Sequence, residues 1–83
     1  MTEVLLSERA RDRLADLDPD VRERIKDALR ALQPDRDLSQ LSGADVYKYR
    51  VGDYRVIADW DRKDEKVYVL TVGHRSTVYD RGW

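Results

Sequence analysis

Two arginines oppose each other where a sequence shaped for folding alone would not put them. In the stretch KYRVGDYRVI, residues 48–57, Arg50 and Arg55 flank a Gly52-Asp53 pair suited to a two-residue hairpin turn. If Val51 and Tyr54 close that hairpin, Arg50 stands opposite Arg55, Tyr49 opposite Val56 and Lys48 opposite Ile57. Like charges set across strands repel and cost stability. Period-two parity puts Lys48 on the face of the arginine pair. In the later run VYVLTVGHR, Arg75 shares parity with Val67, Val69 and Thr71. The larger Tyr68, Leu70 and Val72 suit a covered core, with His74 among them, which turns Arg75 toward Lys48, Arg50 and Arg55. Four cations on one face, with no acid between them near the turn, would suit a phosphate clamp, because guanidinium forks match phosphate oxygens. Exposed Lys and Arg are also common on strand surfaces. A solvated sheet face therefore stands beside the anion site as the alternative.

These side chains need a sheet, and the sheet needs a cover. TEVLL reads as a short first strand. Ser7 is placed to cap a helix over residues 8–16, with Leu6, Ala10, Leu14 and Leu17 at helical spacing. Asp18 and Pro19 restart a helix: Asp18 can cap, and Pro19 suits the first helical position. Val21, Ile25, Ala28, Leu29 and Leu32 make its apolar stripe, and Pro34 stops it near Gln33. A polar connection follows, and from Val46 the period switches to two. Tyr47, Tyr49, Tyr54, Val56 and Trp60 form the face the helices should cover. VYVLTV is apolar at almost every position, as in a central strand covered on both faces. The expected fold is α+β in the order βααβββ: an antiparallel twisted sheet with an αα-hairpin packed on one face, in a single domain spanning residues 1–83.

Composition narrows the chemistry. The chain has 83 residues, no cysteine and one histidine, which leaves no thiolate or multi-histidine zinc site. Charge is nearly balanced, 16 basic against 17 acidic residues, so the signal is local rather than global. Residues 46–58 hold three basic groups and one acidic. No apolar run is long enough to span a membrane, and the start lacks a signal-peptide pattern; a cytoplasmic protein is expected. No P-loop or dinucleotide fingerprint is present. His74 on the covered parity reads as structural, Asp59 and Asp61 as solvated, and Trp60 as core. Tyr79 suits stacking on a base or packing at the sheet edge, and Trp83 suits an anchor or a frayed end.

LSGADVYKYRVGDYRVIADWD, followed by VYVLTVGHRSTVY, resembles the RelE branch of the RelE/ParE toxin superfamily. The match covers roughly residues 41–79, and the preceding strand and αα-hairpin suit the family's order. The resemblance implies a toxin of a type II toxin–antitoxin pair: a metal-independent endoribonuclease with no cofactor, entering the A site of a 70S-type ribosome to cut translated mRNA. It implies a RelB-like antitoxin partner, with operator DNA bound through the antitoxin. The family's functional residues carry over to Lys48, Arg50, Arg55, Arg75 and Tyr79. Two departures stand out: Arg50 replaces a frequent lysine, and the chain ends soon after Tyr79, without the extended C-terminal helix of some members. The alternatives are a ParE-like toxin that acts on DNA gyrase without cutting nucleic acid, and an inactive RNA- or antitoxin-binding relative.

RNA brings its own nucleophile, the 2′-hydroxyl. Attack on the adjacent phosphate needs that proton removed, charge relieved on the phosphorane-like transition state, and the leaving 5′-oxygen protonated. Arg55, with Arg50 beside it, is expected to meet the charge. Lys48 is the expected base, crowding by like charges making its neutral amine more accessible. Arg75 would orient the phosphate or assist the leaving group, and Tyr79 would stack on a base or bond near the 2′-hydroxyl. None of these groups forms a well-tuned acid–base pair at neutral pH, so the ribosome must supply substrate orientation.

Overall fold

A computed structural model of the chain describes residues 2–41 and 46–78. Strand β1 (Glu3–Leu6) leads into α1 (Glu8–Ala15) and α2 (Pro19–Arg30). The Ser7 hydroxyl accepts the Ala10 N–H at 3.0 Å, the expected cap. Asp18 occupies the cap position of α2 without a side-chain cap bond, and Pro19 begins the helix behind it. The expected polar connection is partly ordered: a one-turn helix, α3 (Pro34–Asp37), precedes a two-residue strand, β2 (Ser39–Gln40). In α3, Asp37 accepts the Gln33 N–H at 2.9 Å. Arg36 grips both Asp37 oxygens, at 2.8 and 3.0 Å. That side-chain hydrogen bonding holds the Asp37 carboxyl below the usual carboxylate range.

Strands β3 (Tyr47–Val51), β4 (Tyr54–Asp61) and β5 (Lys66–His74) complete a five-stranded sheet in the order β1-β5-β4-β3-β2. The βααβββ order of the major elements holds. The sheet is mixed rather than wholly antiparallel, because β1 pairs parallel to β5, Glu3 with Lys66 through Leu6 with Val69. Ser7 extends that edge: its N–H donates to the Val69 carbonyl at 2.9 Å and its hydroxyl to the Leu70 carbonyl at 2.8 Å. The edge bonds therefore end where α1 must begin.

The helices cover one face. Ala10, Leu14, Ile25 and Leu29 pack with Val51, Val56, Val69 and Val72, and Leu32 packs with Ala58 and Val67. Burying a side chain such as Ile25 or Val69 stabilises by about 1.5–3 kcal/mol. Tyr49 points into this layer and donates its hydroxyl to the Ala28 carbonyl at 3.2 Å. Burial, and then the Asp37 charge, push its phenol upward.

The first half of β5 has the opposite parity to the one expected. Thr71 pairs with Ile57 but Val69 pairs with Ala58, so Leu70 is an extra residue in the ladder. A bulge of this kind reverses parity along the strand. Val67 and Val69, expected outward, are buried beneath the helices, while Tyr68, expected in the core, is exposed opposite Asp59. Beyond the bulge the expected parity holds, with Val72 inward and Thr71 and Gly73 outward.

Candidate functional site

The β3–β4 turn has a positive φ only at its first central residue, Gly52 at +57°, the sign pattern of a type II′ turn. That turn fixes the register as anticipated: Val51 with Tyr54, Arg50 with Arg55, Tyr49 with Val56 and Lys48 with Ile57. In such a hairpin the pair next to the closing pair lacks mutual hydrogen bonds, and its Cα atoms stand about 4.5 Å apart. Arg50 and Arg55 hold that position. Cross-strand partners share a face, and Val56 is in the helix-covered core, so both arginines point to the face away from the helices, where Ile57 and Thr71 are themselves buried.

Arg55 is half-buried and Arg50 exposed. Nη1 of Arg55 donates to the Gly52 carbonyl at 2.9 Å and to the Tyr54 carbonyl at 2.8 Å. These bonds anchor the guanidinium over the turn. The Nε–Nη2 edge, which matches two phosphate oxygens, is not used by the turn. Arg75 stands just past β5. Its N–H donates to the Asp53 carbonyl at 2.8 Å, adding one rung beyond the Tyr54–His74 pair, and its Nε lies 4.0 Å from the Asp53 carboxylate. Both side chains are well exposed, which makes this a weak ion pair.

Lys48 is exposed on β3. Its cross-strand partners are Ile57 and Ser39, not cations. Its nearest neighbour along the face is Arg50, two residues or about 6.6 Å along the strand. The structure thus gathers Arg50, Arg55 and Arg75 about one turn, with Lys48 one step down the same face. Tyr79 and Trp83 lie outside the described residues.

Two groups at this end carried no functional weight in the sequence. Asp53, a turn residue, faces Arg75 as an internal counter-anion. Arg24 of α2 also reaches the turn: a Cβ built on Gly52 would stand 3.9 Å from its Nη1. Arg24 sits among other charged residues of a helix, and its proximity arises only when α2 packs on the sheet. His74, expected within the covered layer, is exposed at its end, edge-on to Tyr54 with ring centroids 5.5 Å apart. Its Nδ1 accepts the Ser76 N–H at 3.2 Å and lies 2.8 Å from the Ser76 hydroxyl, a local bond set that organises the turn after β5. Asp59 is exposed as expected, and Trp60 packs with Leu32, Ala58 and Val67.

The chain is thus a small α+β domain with a cationic hairpin at one end of its sheet. The chain belongs to the ParE toxin family of type II toxin–antitoxin systems (parDE), within the RelE/ParE superfamily; the family model matches residues 4–79. The isolated E. coli RelE toxin is similar at 28% identity, with a TM-score of 0.73 over 96% of this chain and 93% of that one. A chain of the RelBE2 toxin–antitoxin complex from Mycobacterium tuberculosis shares the fold, with a TM-score of 0.78 and 24% identity over 90% of this chain and 92% of that one. The fold recurs in the RelE–RelB complex of Pyrococcus horikoshii, at a TM-score of 0.74 and 23% identity over 93% and 98% of the two chains. No curated protein matches the chain. Among the described residues, no helix is long and apolar enough to cross a membrane.

Proposed function

We propose that this toxin is a ribosome-dependent endoribonuclease that cuts translated mRNA in the A site by attack of the 2′-hydroxyl on the adjacent phosphate. The observation that carries the reading is the Arg50–Arg55 opposition, on the sheet face away from the helices with Arg75 beside it. Arg55, anchored by two carbonyls, presents its free edge to the phosphate as charge develops. Arg50 adds charge from 50's side of the hairpin, and Arg75 orients the phosphate from the end of β5. Lys48 is the base candidate along the same strand, and Tyr79 the stacking or hydrogen-bonding group. A RelB-like antitoxin with an acidic or amphipathic segment covers this surface and restrains it; the RelE relatives captured in complex with RelB support that partner.

The test is primer extension on mRNA after induction. Cuts positioned within codons are expected, accompanied by arrest of translation. The match to the ParE family model favours a second reading, a toxin that acts on DNA gyrase. Arrest of replication with intact mRNA would establish that reading and remove the first.

A further inference from the structure

Gly52 has a guanidinium on each side of it. Arg55, on the face away from the helices, donates Nη1 to its carbonyl at 2.9 Å. Arg24 of α2 approaches from the helix-covered face, its Nη1 3.9 Å from where a Cβ on Gly52 would stand. The helix is held in this register. Tyr49 donates its hydroxyl to the Ala28 carbonyl at 3.2 Å, and Arg24 stands four residues from Ala28 on the same side of α2. Four helical residues rise about 6 Å, while Tyr49 to Gly52 spans about 10 Å of strand; the arginine side chain covers the remainder. A local partner was available. Asp20 precedes Arg24 by four residues, the favourable order for an ion pair on a helix. Among the described residues Arg24 nevertheless forms no ion pair or hydrogen bond. Its guanidinium lies instead against a turn where Arg50, Arg55 and Arg75 already outnumber one carboxylate, Asp53. A fourth cation there adds repulsion unless an anion joins it.

We infer that Arg24 is a further substrate-binding residue, which holds a phosphate flanking the one gripped by Arg55, so that the RNA strand crosses the tip of the hairpin from one face of the sheet to the other. The inference rests on the nuclease reading for the identity of the strand. Its physical basis is a line of cations that tracks a single-stranded backbone by successive phosphates. The backbone of the turn stands between the two guanidinium groups, so they serve two phosphates rather than one. A polyanion draped over the turn relieves the repulsion on both faces at once.

The test uses the full chain and a short, uncleavable 2′-O-methyl oligoribonucleotide, with binding followed by fluorescence anisotropy across a salt series. Wild type is compared with Arg24→Gln, Arg24→Lys and Arg30→Gln, the last on the same helix and paired to Asp27, after thermal melts confirm folding. Arg24→Gln should lower the slope of log affinity against log salt by about 0.7, one single-strand phosphate contact. Arg24→Lys keeps the charge and should restore the slope; Arg30→Gln should leave it unchanged. Arg24→Gln combined with Arg55→Gln should lower it by about 1.4, two contacts. An unchanged slope in Arg24→Gln, a loss that lysine does not restore, a double variant no lower than either single one, or no binding of the probe by wild type at low salt overturns the inference. A lowered slope in a chain that leaves mRNA intact in cells keeps the contact and removes the nuclease reading; codon-positioned cuts with an unchanged slope do the reverse.

Discussion

The two ends of β4 treat charge in opposite ways. Near the β3–β4 turn, Arg50 faces Arg55 and Arg75 closes in from β5. At the other end, Asp61 faces Lys66 and Asp59 faces Tyr68, while the Arg62 guanidinium lies 4.3 Å from the Trp60 ring centroid. The far end follows the ordinary rules of a stable sheet, opposite charges in register and a cation on an aromatic face. The turn end breaks the first of them on the same strand. Sheet stability alone would favour complementary pairs at both ends. The difference locates the part of the surface where an external anion is expected to complete the electrostatics.

The largest effect should come from Arg55. Arg55→Ala is predicted to reduce mRNA cleavage by about 100- to 1000-fold, the scale of losing one aimed transition-state donor. Its stability should change by no more than about 1 kcal/mol, since two lost carbonyl bonds are offset by relief of the opposed charge. Primer extension and thermal melts read the two quantities. Wild-type cleavage in Arg55→Ala would remove the contrast between the ends as a functional signal.

A paired exchange sharpens the comparison. Arg50→Glu makes the turn-end pair complementary and should stabilise by about 0.2–1 kcal/mol while cleavage is lost. Asp61→Lys creates a like pair at the far end and should destabilise by a similar amount, with cleavage retained. Denaturant melts at low salt measure both shifts. If Arg50→Glu destabilises, the opposed arginines are not a stability cost and the premise is wrong.

The smallest effect belongs to Asp37, remote from the comparison by register and useful as its internal standard. Its carboxyl is held below the usual range, so its contribution is fully present above the unfolded value, about pH 4. That contribution is lost as pH falls through the depressed folded value. Asp37→Asn should therefore melt lower than wild type at neutral pH, with the gap closing in acid. A gap that stays constant with pH would point to a role other than the Arg36 and Gln33 bonds.

The hairpin was legible because two signals agree there. A Gly-Asp pair at a two-residue turn sets the register, and strict alternation in YKYRV and YRVIADW sets the faces. The run VYVLTV has no such alternation. Side-chain size is the remaining guide to its faces, and the bulge at Leu70 makes that guide fail for Val67 and Tyr68 while it holds for Thr71 and Val72. Arg75 came out beside the turn because it lies beyond the bulge.

Local chemistry in the chain was enough to specify the capped α1, the Pro19 start of α2, the Gly52 turn and the opposed arginines. Each depends on residues a few positions apart, where sterics and hydrogen bonding act without the rest of the fold. The parallel docking of β1 on β5, the bulge and the approach of Arg24 to Gly52 depend on residues distant in sequence. Packing brings them together, since the helices must cover the sheet and the edge bonds to β1 end at Leu70 for α1 to do so.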